Sequence, residues 1–240
     1  MEYEDRIFKC ISCESIHNAT ELRINRHKCT VCKRQYTNIE LCTIIANYLL
    51  EKYNIITLKD TKEMLIFDCE SGIYINGSIL INQELSHFEN ILGNGMPSLI
   101  NFKIECKTYI DRLQLNPPEI LITQNKVIIL KDNGMSEKEF NPKYYCTSKI
   151  PVIFNKTKKC KIIDKFISDI VEPKWELLTY EMIAYTLYSG YPISTFFILN
   201  GSGRNGKTIL ISLIQNFLGE DNFSSVSLQE LLFISTFKAG

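Results

Sequence analysis

The chain has 240 residues, of which 45% are hydrophobic and 22% charged, a composition typical of a globular protein with a sizeable core. Its net charge is zero and it has no run of about eighteen apolar residues, so a membrane span is not expected. The charged N-terminal segment lacks the apolar stretch of a secretion signal, and the nine cysteines do not follow a disulfide-scaffold pattern, which together predict a cytoplasmic protein.

Charge is distributed unevenly along the sequence. Residues 6–36 hold seven basic residues against two acids, residues 37–100 hold three against eight, and residues 101–175 hold fourteen against nine. The two basic regions can contact a phosphate backbone, although ordinary solvated faces explain the same charges equally well.

The first predicted element is a metal site formed by two CxxC pairs. Cys10 and Cys13 form one pair, Cys29 and Cys32 form the other, and fifteen residues separate the pairs. Two such turns at the ends of a short β-hairpin bring four thiolates around one ion, which is the arrangement of a zinc ribbon. We therefore predict a zinc ribbon over residues 1–36, with bound Zn²⁺ stabilising a segment too short to bury much surface. Free cysteines are the alternative.

The histidines and basic residues of this segment are relevant to whether the ribbon contacts nucleic acid. His17 and His27 are predicted to lie at the surface, since four cysteines already supply the metal ligands. Contact with nucleic acid and a purely structural role are both open for the ribbon. The residues that permit phosphate contact or base stacking near the second pair are Arg23, Arg26, Lys28, Lys33, Arg34 and Tyr36.

Residues 37–116 are predicted to form a winged-helix-like α+β module. Thr37 and Glu40 form a capping box before an amphipathic helix whose apolar residues are at positions 41, 44, 45, 48 and 49. The stretch "EMLIFDCESGIYINGSILI" predicts a three-strand meander with turns at residues 70–72 and 76–77. A second helix is predicted over "SLINFKIECKTYIDRLQL", with an apolar face of Leu99, Phe102, Cys106, Tyr109, Ile110 and Leu113.

Residues 117–190 are predicted to form a connector and helical region, beginning at the boundary marked by Pro117 and Pro118. Two β-like runs, "EILIT" and "KVIIL", precede a basic, turn-rich stretch and two helices that are separated by Pro173. Trp175 is predicted to be a core anchor between these helices. The basic stretch either contacts successive phosphates of a nucleic acid or is an ordinary solvated loop. Its lysines are Lys156, Lys158, Lys159 and Lys161.

The octet "GSGRNGKT" in the last segment, residues 191–240, fits the pattern G-x-x-x-x-G-K-[ST] without departure. An apolar run, "TFFIL", precedes it, and a helical segment ending at Gly219 follows it, which is the context of a phosphate-binding loop. Lys207 can reach the β- and γ-phosphates of ATP and the Thr208 hydroxyl can bind Mg²⁺, so these two are the predicted catalytic residues. The predicted nucleotide-binding residues are Gly201, Ser202, Gly203, Arg204, Asn205, Gly206, Lys207 and Thr208.

The octet, with an asparagine before its Gly-Lys pair, resembles the loop of phage and plasmid primase–helicases, a branch of superfamily 3 DNA helicases. The segments "DTKEMLIFDCESGIYINGS", "NKVIILK" and "PVIFNKTKKCKIIDKFI" are similar to the poxvirus-type primase–helicase N-terminal region. The resemblance implies a multidomain α+β and α/β chain that ends in the start of an AAA+-like P-loop ATPase domain. It also implies a homo-oligomeric ring, often a hexamer, that uses ATP to move along single-stranded DNA during replication, encoded by a virus or plasmid of an archaeal or bacterial host.

The family pattern also includes acidic Walker B residues, a polar sensor and an arginine finger, and none can be assigned in this sequence. Glu220, Asp221 and Glu230 do not end an apolar run. We therefore expect an N-terminal fragment that binds ATP without hydrolysing it efficiently alone, which leaves its standing as an enzyme open. Two other functions also stay open: a zinc-stabilised nucleic-acid-binding or adaptor module with a vestigial loop, and a different P-loop ATPase acting in signalling or transport.

Overall fold

The computed structural model divides the chain into two compact units of mixed α and β structure. The first unit comprises residues 1–115 with 141–147, and the second comprises residues 116–140 with 148–240. The boundaries at residues 36, 116 and 190 that the sequence indicates stay predictions. The structure describes residues 7–10, 12–18, 28–89, 92–131, 134–190, 192–227 and 229–230.

The first unit begins with a short hairpin and continues into a capped helix. Strand β1 (Ile7–Lys9) pairs antiparallel with β2 (Ile16–Asn18). Helix α1 (Asn38–Lys52) follows Thr37, whose hydroxyl accepts the N–H of Glu40 while the Glu40 carboxylate accepts the N–H of Thr37. The predicted capping box is therefore confirmed, and it satisfies N–H groups that have no acceptor within the helix.

A four-stranded sheet and two more helices complete this unit. Their bounds are β3 (Ile55–Leu58), β4 (Met64–Asp68), β5 (Ile73–Asn76), α2 (Ser78–Ser86), α3 (Met96–Thr108) and β6 (Tyr109–Ile110). The strand order is β5-β4-β3-β6, in which β6 runs parallel to β3 and the other pairs are antiparallel. Helices α1 and α3 pack against each other, and α3 also contacts β3. The predicted apolar face of α1 is confirmed, since its buried residues include Leu41, Ile44, Ile45 and Leu49.

The predicted apolar face of α3 is wrong. Phe102 is 57% exposed and Leu113, beyond the end of the helix, is 97% exposed, whereas Met96, Ile100 and Ile104 are buried. The three buried residues recur every four positions, so they form one stripe along the helix that belongs to the same core as α1. The aromatic and cysteine positions lie off this stripe, and residues 109–110 leave the helix to pair with β3.

The third strand of the predicted meander is also wrong, because residues 78–81 begin α2. Strands β4 and β5 form as predicted, and their third antiparallel partner is β3, which precedes them in the chain. The side-chain oxygen of Asn76 accepts the N–H of Ser78 at 3.0 Å, which turns the chain at the start of the helix. Ile81 and Leu85 then become buried four residues apart on one face of α2.

The second unit contains, in the part of the chain that is described, a three-stranded antiparallel sheet followed by three helices. Their bounds are β7 (Ile120–Ile122), β8 (Val127–Lys131), β9 (Gly134–Lys138), α4 (Lys161–Ile170), α5 (Pro173–Tyr185) and α6 (Lys207–Leu218). Strands β7 and β8 and all three helices occur where they are predicted. Strand β9 is not predicted, because "GMSEK" has little strand propensity and forms by pairing along the whole of β8.

Helix α5 corrects the interpretation of Trp175. Pro173 occupies the first turn of α5, where the missing N–H costs nothing, so the proline begins this helix. Trp175 is 49% exposed and is not a core anchor, while Ile167 of α4 and Met182 of α5 are buried. The indole instead lies at the surface of the second unit, with the Lys174 ammonium 5.5 Å from the centre of its ring.

Candidate metal centre and phosphate-binding loop

The four cysteines of the CxxC pairs come together in the first unit. Cys10 and Cys13 lie in the turn between β1 and β2, and Cys29 and Cys32 lie in a second turn that is closed by a bridge from Lys28 to residue 35. All four sulfur atoms lie within 4.8 Å of one another.

The sulfur–sulfur distances match those of a four-coordinate metal site. The Sγ atoms of Cys10 and Cys32 are 3.8 Å apart, and those of Cys13 and Cys29 are 3.7 Å apart. Four thiolates at the usual zinc–sulfur distance of about 2.3 Å, arranged as a tetrahedron, lie about 3.8 Å from one another. The cluster could therefore bind a metal ion such as zinc.

The two cysteine turns have the same backbone conformation. In the first, the N–H of Cys10 donates to the carbonyl of Ser15 at 2.8 Å and the N–H of Glu14 donates back to the carbonyl of Cys10 at 2.9 Å. The second turn repeats this pattern from Cys29, with Lys33 in the place of Glu14. Glu14 and Lys33 have φ values of 55° and 58°, in the left-handed region that favours glycine. The CxxC spacing predicts these turns but not their left-handed residues, because neither turn contains a glycine.

Hydrogen bonds from neighbouring groups favour the thiolate form of Cys10 and Cys29. The N–H of Ser12 donates to the Sγ of Cys10 and the N–H of Cys32 donates to the Sγ of Cys29, both at 3.4 Å. Burial raises the pKa of the Cys29 thiol, but hydrogen bonds from Ser15 and from two backbone N–H groups outweigh it and lower that pKa to about 4. Because the thiolate is the form that binds metals, these donors prepare the site for a cation.

Two side chains of this segment are buried beside the sulfur atoms: His17, predicted at the surface, and Tyr36, a candidate for base stacking. His17 lies with its Nε2 3.2 Å from the Sγ of Cys29, and the Oγ of Ser15 is 2.8 Å from the same nitrogen. Tyr36 is buried as well, and desolvation together with its hydrogen bond to Cys10 raises the pKa of its hydroxyl, which therefore stays a donor. Neither side chain is available for base stacking. His27 lies outside the described residues.

The basic residues predicted to contact phosphates divide into two groups. Lys28 and Lys33 are exposed beside the second cysteine turn. The guanidinium of Arg34 instead pairs with the carboxylate of Glu40 and donates to the hydroxyl of Ser12, so it links the metal segment to α1. The remaining two predicted positions, Arg23 and Arg26, lie outside the described residues.

The octet at residues 201–208 forms a tight, exposed loop that leads directly into α6. Gly203, Arg204 and Gly206 have φ values of 98°, 51° and 83°, and Gly206 is the N-cap of α6. A Cβ at Gly206 would lie 2.5 Å from Cγ2 of Ile170, so α4 limits this position to glycine as strongly as its backbone conformation does. The helix ends at the predicted C-cap, Gly219.

Lys207, the first residue of α6, folds back over the loop. Its Nζ donates to the carbonyl of Gly201 at 3.1 Å and to Oδ1 of Asn205 at 2.6 Å. Thr208 follows on the first turn and is exposed. The ammonium group is thus held at the loop by two acceptors of the loop itself.

The apolar run before the octet has no regular secondary structure and does not form a strand. Phe196 is 80% exposed and Ile198 is 76% exposed. Strands are stabilised by pairing, and none of the described strands lies beside residues 195–199, so the expected β-structure is absent there. After α6, Glu220 and Asp221 lie in a short 3₁₀ helix, in agreement with the expectation that they do not end an apolar strand.

Comparison with known proteins identifies one related segment. A family model described as D5 N terminal like matches residues 98–172, which comprise most of α3, strands β6 to β9 and all of α4. No curated protein matches the chain. Among the described residues, no helix combines the length and the apolar character needed to cross a bilayer. The matched segment includes "NKVIILK" and "PVIFNKTKKCKIIDKFI" and supports the resemblance to the N-terminal region of primase–helicases.

Proposed function

We propose that this chain acts in DNA replication as the N-terminal, ATP-binding portion of a helicase of the primase–helicase type. The observation that carries the proposal is the loop at residues 201–208, whose backbone turns at Gly203, Arg204 and Gly206 and ends at the N-terminus of α6. The match of residues 98–172 to a D5 N terminal like family model supports the same reading. The oligomeric ring and movement along single-stranded DNA that this family implies belong to the proposal for the complete protein.

The chemistry proposed for the loop is phosphate binding. The N-terminus of α6 carries a partial positive charge and free N–H groups, which favour an anion. Lys207 exchanges its contacts with Gly201 and Asn205 for phosphate oxygens, and the exposed Thr208 hydroxyl is placed on the same turn to bind Mg²⁺. ATP supplies the phosphoanhydride bond, and these residues orient its phosphates and neutralise their charge.

Binding is tested with a fluorescent ATP analogue and the 240-residue chain. Lys207→Ala is expected to weaken binding at least about tenfold, because it removes the ammonium group that folds back over the loop. Lys131→Ala is the matched control, since Lys131 is an exposed lysine at the end of β8 that belongs to neither the loop nor the cavity beside it. Equal affinities of the wild-type chain and the Lys207→Ala variant contradict phosphate binding at this loop.

Unwinding is tested with the protein from the complete open reading frame. A forked DNA substrate is expected to unwind only with ATP and Mg²⁺, and Lys207→Ala is expected to abolish the activity. Unwinding that survives this substitution excludes the proposed mechanism, whatever the chain binds.

A zinc-stabilised DNA-binding module is the second candidate function. We propose that Cys10, Cys13, Cys29 and Cys32 bind zinc, and the exposure of Lys28 and Lys33 beside the cluster favours contact with a phosphate backbone. This module binds DNA whether or not the loop at 201–208 is functional.

The salt dependence of DNA binding tests this second function. Replacing both Lys28 and Lys33 with alanine is expected to reduce the slope of log affinity against log salt by about two, since each phosphate contact contributes about one. Lys62→Ala, which removes an exposed lysine elsewhere in the same unit, is expected to leave the slope unchanged. A slope that is the same in all three proteins rules out phosphate contact at the cysteine turns.

A further inference from the structure

A cavity of about 470 Å³ lies in the second unit directly beside the phosphate-binding loop. Its volume falls within the range of about 300–1,000 Å³ that is usual for small-molecule sites. Its apolar wall comes from α5, from residues 197–199 before the loop, and from α6. The lining includes Trp175, Leu178, Met182, Phe197, Leu199 and Leu210.

Two residues belong both to this cavity and to the loop. Lys207 and Asn205 line the cavity, and they are also joined to each other by the hydrogen bond from Nζ to Oδ1. A ligand whose phosphates contact Lys207 therefore extends into the cavity if the rest of it is apolar and flat. Asn200, the residue immediately before the octet, lines the same space and offers both an amide donor and an amide acceptor.

The aromatic side chains of the cavity are exposed although they are apolar. Trp175 is about half exposed, and Phe197 is partly exposed as well. Aromatic surfaces of this kind are covered favourably by a nucleobase, because every base has a flat face that stacks on an aromatic ring.

We infer that this cavity binds the base of a nucleoside triphosphate, with Trp175 as the principal stacking residue and Asn200 positioned to contact the edge of the base. The inference rests on the proposed phosphate binding at residues 201–208, and it adds a second subsite with a different chemistry. The loop binds the phosphates through charge, whereas the cavity binds the base through apolar contact.

Titration calorimetry with two probes separates the two subsites. Inorganic tripolyphosphate has the phosphates of ATP without its nucleoside, so it reports on the loop alone. The wild-type chain is expected to bind ATP at least about tenfold more tightly than tripolyphosphate, because stacking of a base on an aromatic side chain contributes about 1–3 kcal/mol. Trp175→Leu is expected to remove most of this difference while leaving the affinity for tripolyphosphate unchanged.

Two further variants control for loss of structure. Trp175→Phe retains an aromatic face and is expected to keep at least part of the preference for ATP. Leu177→Ala alters an exposed apolar residue of the same helix that does not line the cavity, and it is expected to change neither affinity. Far-UV circular dichroism of each variant confirms that α5 is intact.

Tryptophan fluorescence gives an independent readout, since Trp175 is the only tryptophan of the chain. ATP is expected to quench it, whereas tripolyphosphate leaves it nearly unchanged. Equal affinity for the two probes, or a preference for ATP that persists in Trp175→Leu, overturns the base subsite and leaves phosphate binding intact. Failure of the wild-type chain to bind either probe overturns both proposals.

Discussion

Replacing Gly206 with alanine tests whether α4 holds the loop at residues 201–208 in its conformation. Gly206 has a φ of 83°, and a Cβ there would lie 2.5 Å from Cγ2 of Ile170. Gly203 has a φ of 98°, but a Cβ at that position would have no atom within 4 Å among those described. The two substitutions therefore share a conformational cost, and only Gly206→Ala adds steric overlap.

The expected losses of unfolding free energy follow from these two contributions. A left-handed conformation costs an alanine about 1–2 kcal/mol, and inserting a methyl group against a packed neighbour costs about 1–3 kcal/mol. Gly203→Ala is thus expected to lose about 1–2 kcal/mol and Gly206→Ala about 2–5 kcal/mol. Adding Ile170→Ala removes the overlapping Cγ2, so the double-mutant cycle is expected to show a favourable coupling of about 1–3 kcal/mol.

Urea denaturation of the wild-type chain, the three single variants and the double variant, followed by far-UV circular dichroism, measures these differences. The coupling isolates the overlap because the cost of truncating Ile170 cancels in the cycle. Equal losses for Gly203→Ala and Gly206→Ala, or a cycle without coupling, would refute the argument that α4 constrains the loop.

Three other predictions concern the first unit. Ile104→Ala is expected to lower the free energy of unfolding by about 2–5 kcal/mol and Phe102→Ala by less than about 0.5 kcal/mol, since only Ile104 is buried. Thermal or chemical denaturation of the two variants measures the difference. Backbone and side-chain hydrogen bonds at the helix cap and a neighbouring arginine hold the pKa of Glu40 below its usual value of 4.5, so the stability that it adds is present above this pH and is lost as the pH falls further. Glu40→Gln is expected to flatten the pH dependence of the melting temperature below about pH 5, and an unchanged profile contradicts the assignment. Cys29→Ser is expected to lower the zinc content from one ion per chain to near zero, and to remove the effect of a chelator on the melting temperature. Cys69→Ser, which changes an exposed cysteine outside the cluster, is expected to alter neither the zinc content nor the chelator effect.

The features that the sequence predicts well are those that depend on a few neighbouring residues. The capping box at Thr37 and Glu40, the two CxxC pairs and the C-cap at Gly219 each follow from local chemistry that tertiary contacts do not alter. These features locate both candidate sites to within a few residues.

The features that sequence reasoning misses depend on partners distant in the chain. The buried stripe of α3 is set by the neighbouring α1, and the strand β9 forms only because β8 is beside it. The predicted face includes Phe102 and omits Ile104, whereas the helix buries Ile104 and leaves Phe102 57% exposed. The cavity beside the loop is a product of three segments, so no single stretch of sequence indicates that Trp175 faces a ligand-sized space.

The hydrogen bonds of Lys207 have a consequence for selectivity among anions. An incoming ligand must replace two acceptors that the loop already provides, the carbonyl of Gly201 and the amide oxygen of Asn205. Chloride or a single inorganic phosphate offers few contacts in exchange, whereas a polyphosphate chain supplies several oxygens to the lysine and the helix N-terminus at once. If the loop binds phosphates as proposed, we therefore expect it to discriminate among anions by valence, so that common cellular anions compete weakly for it.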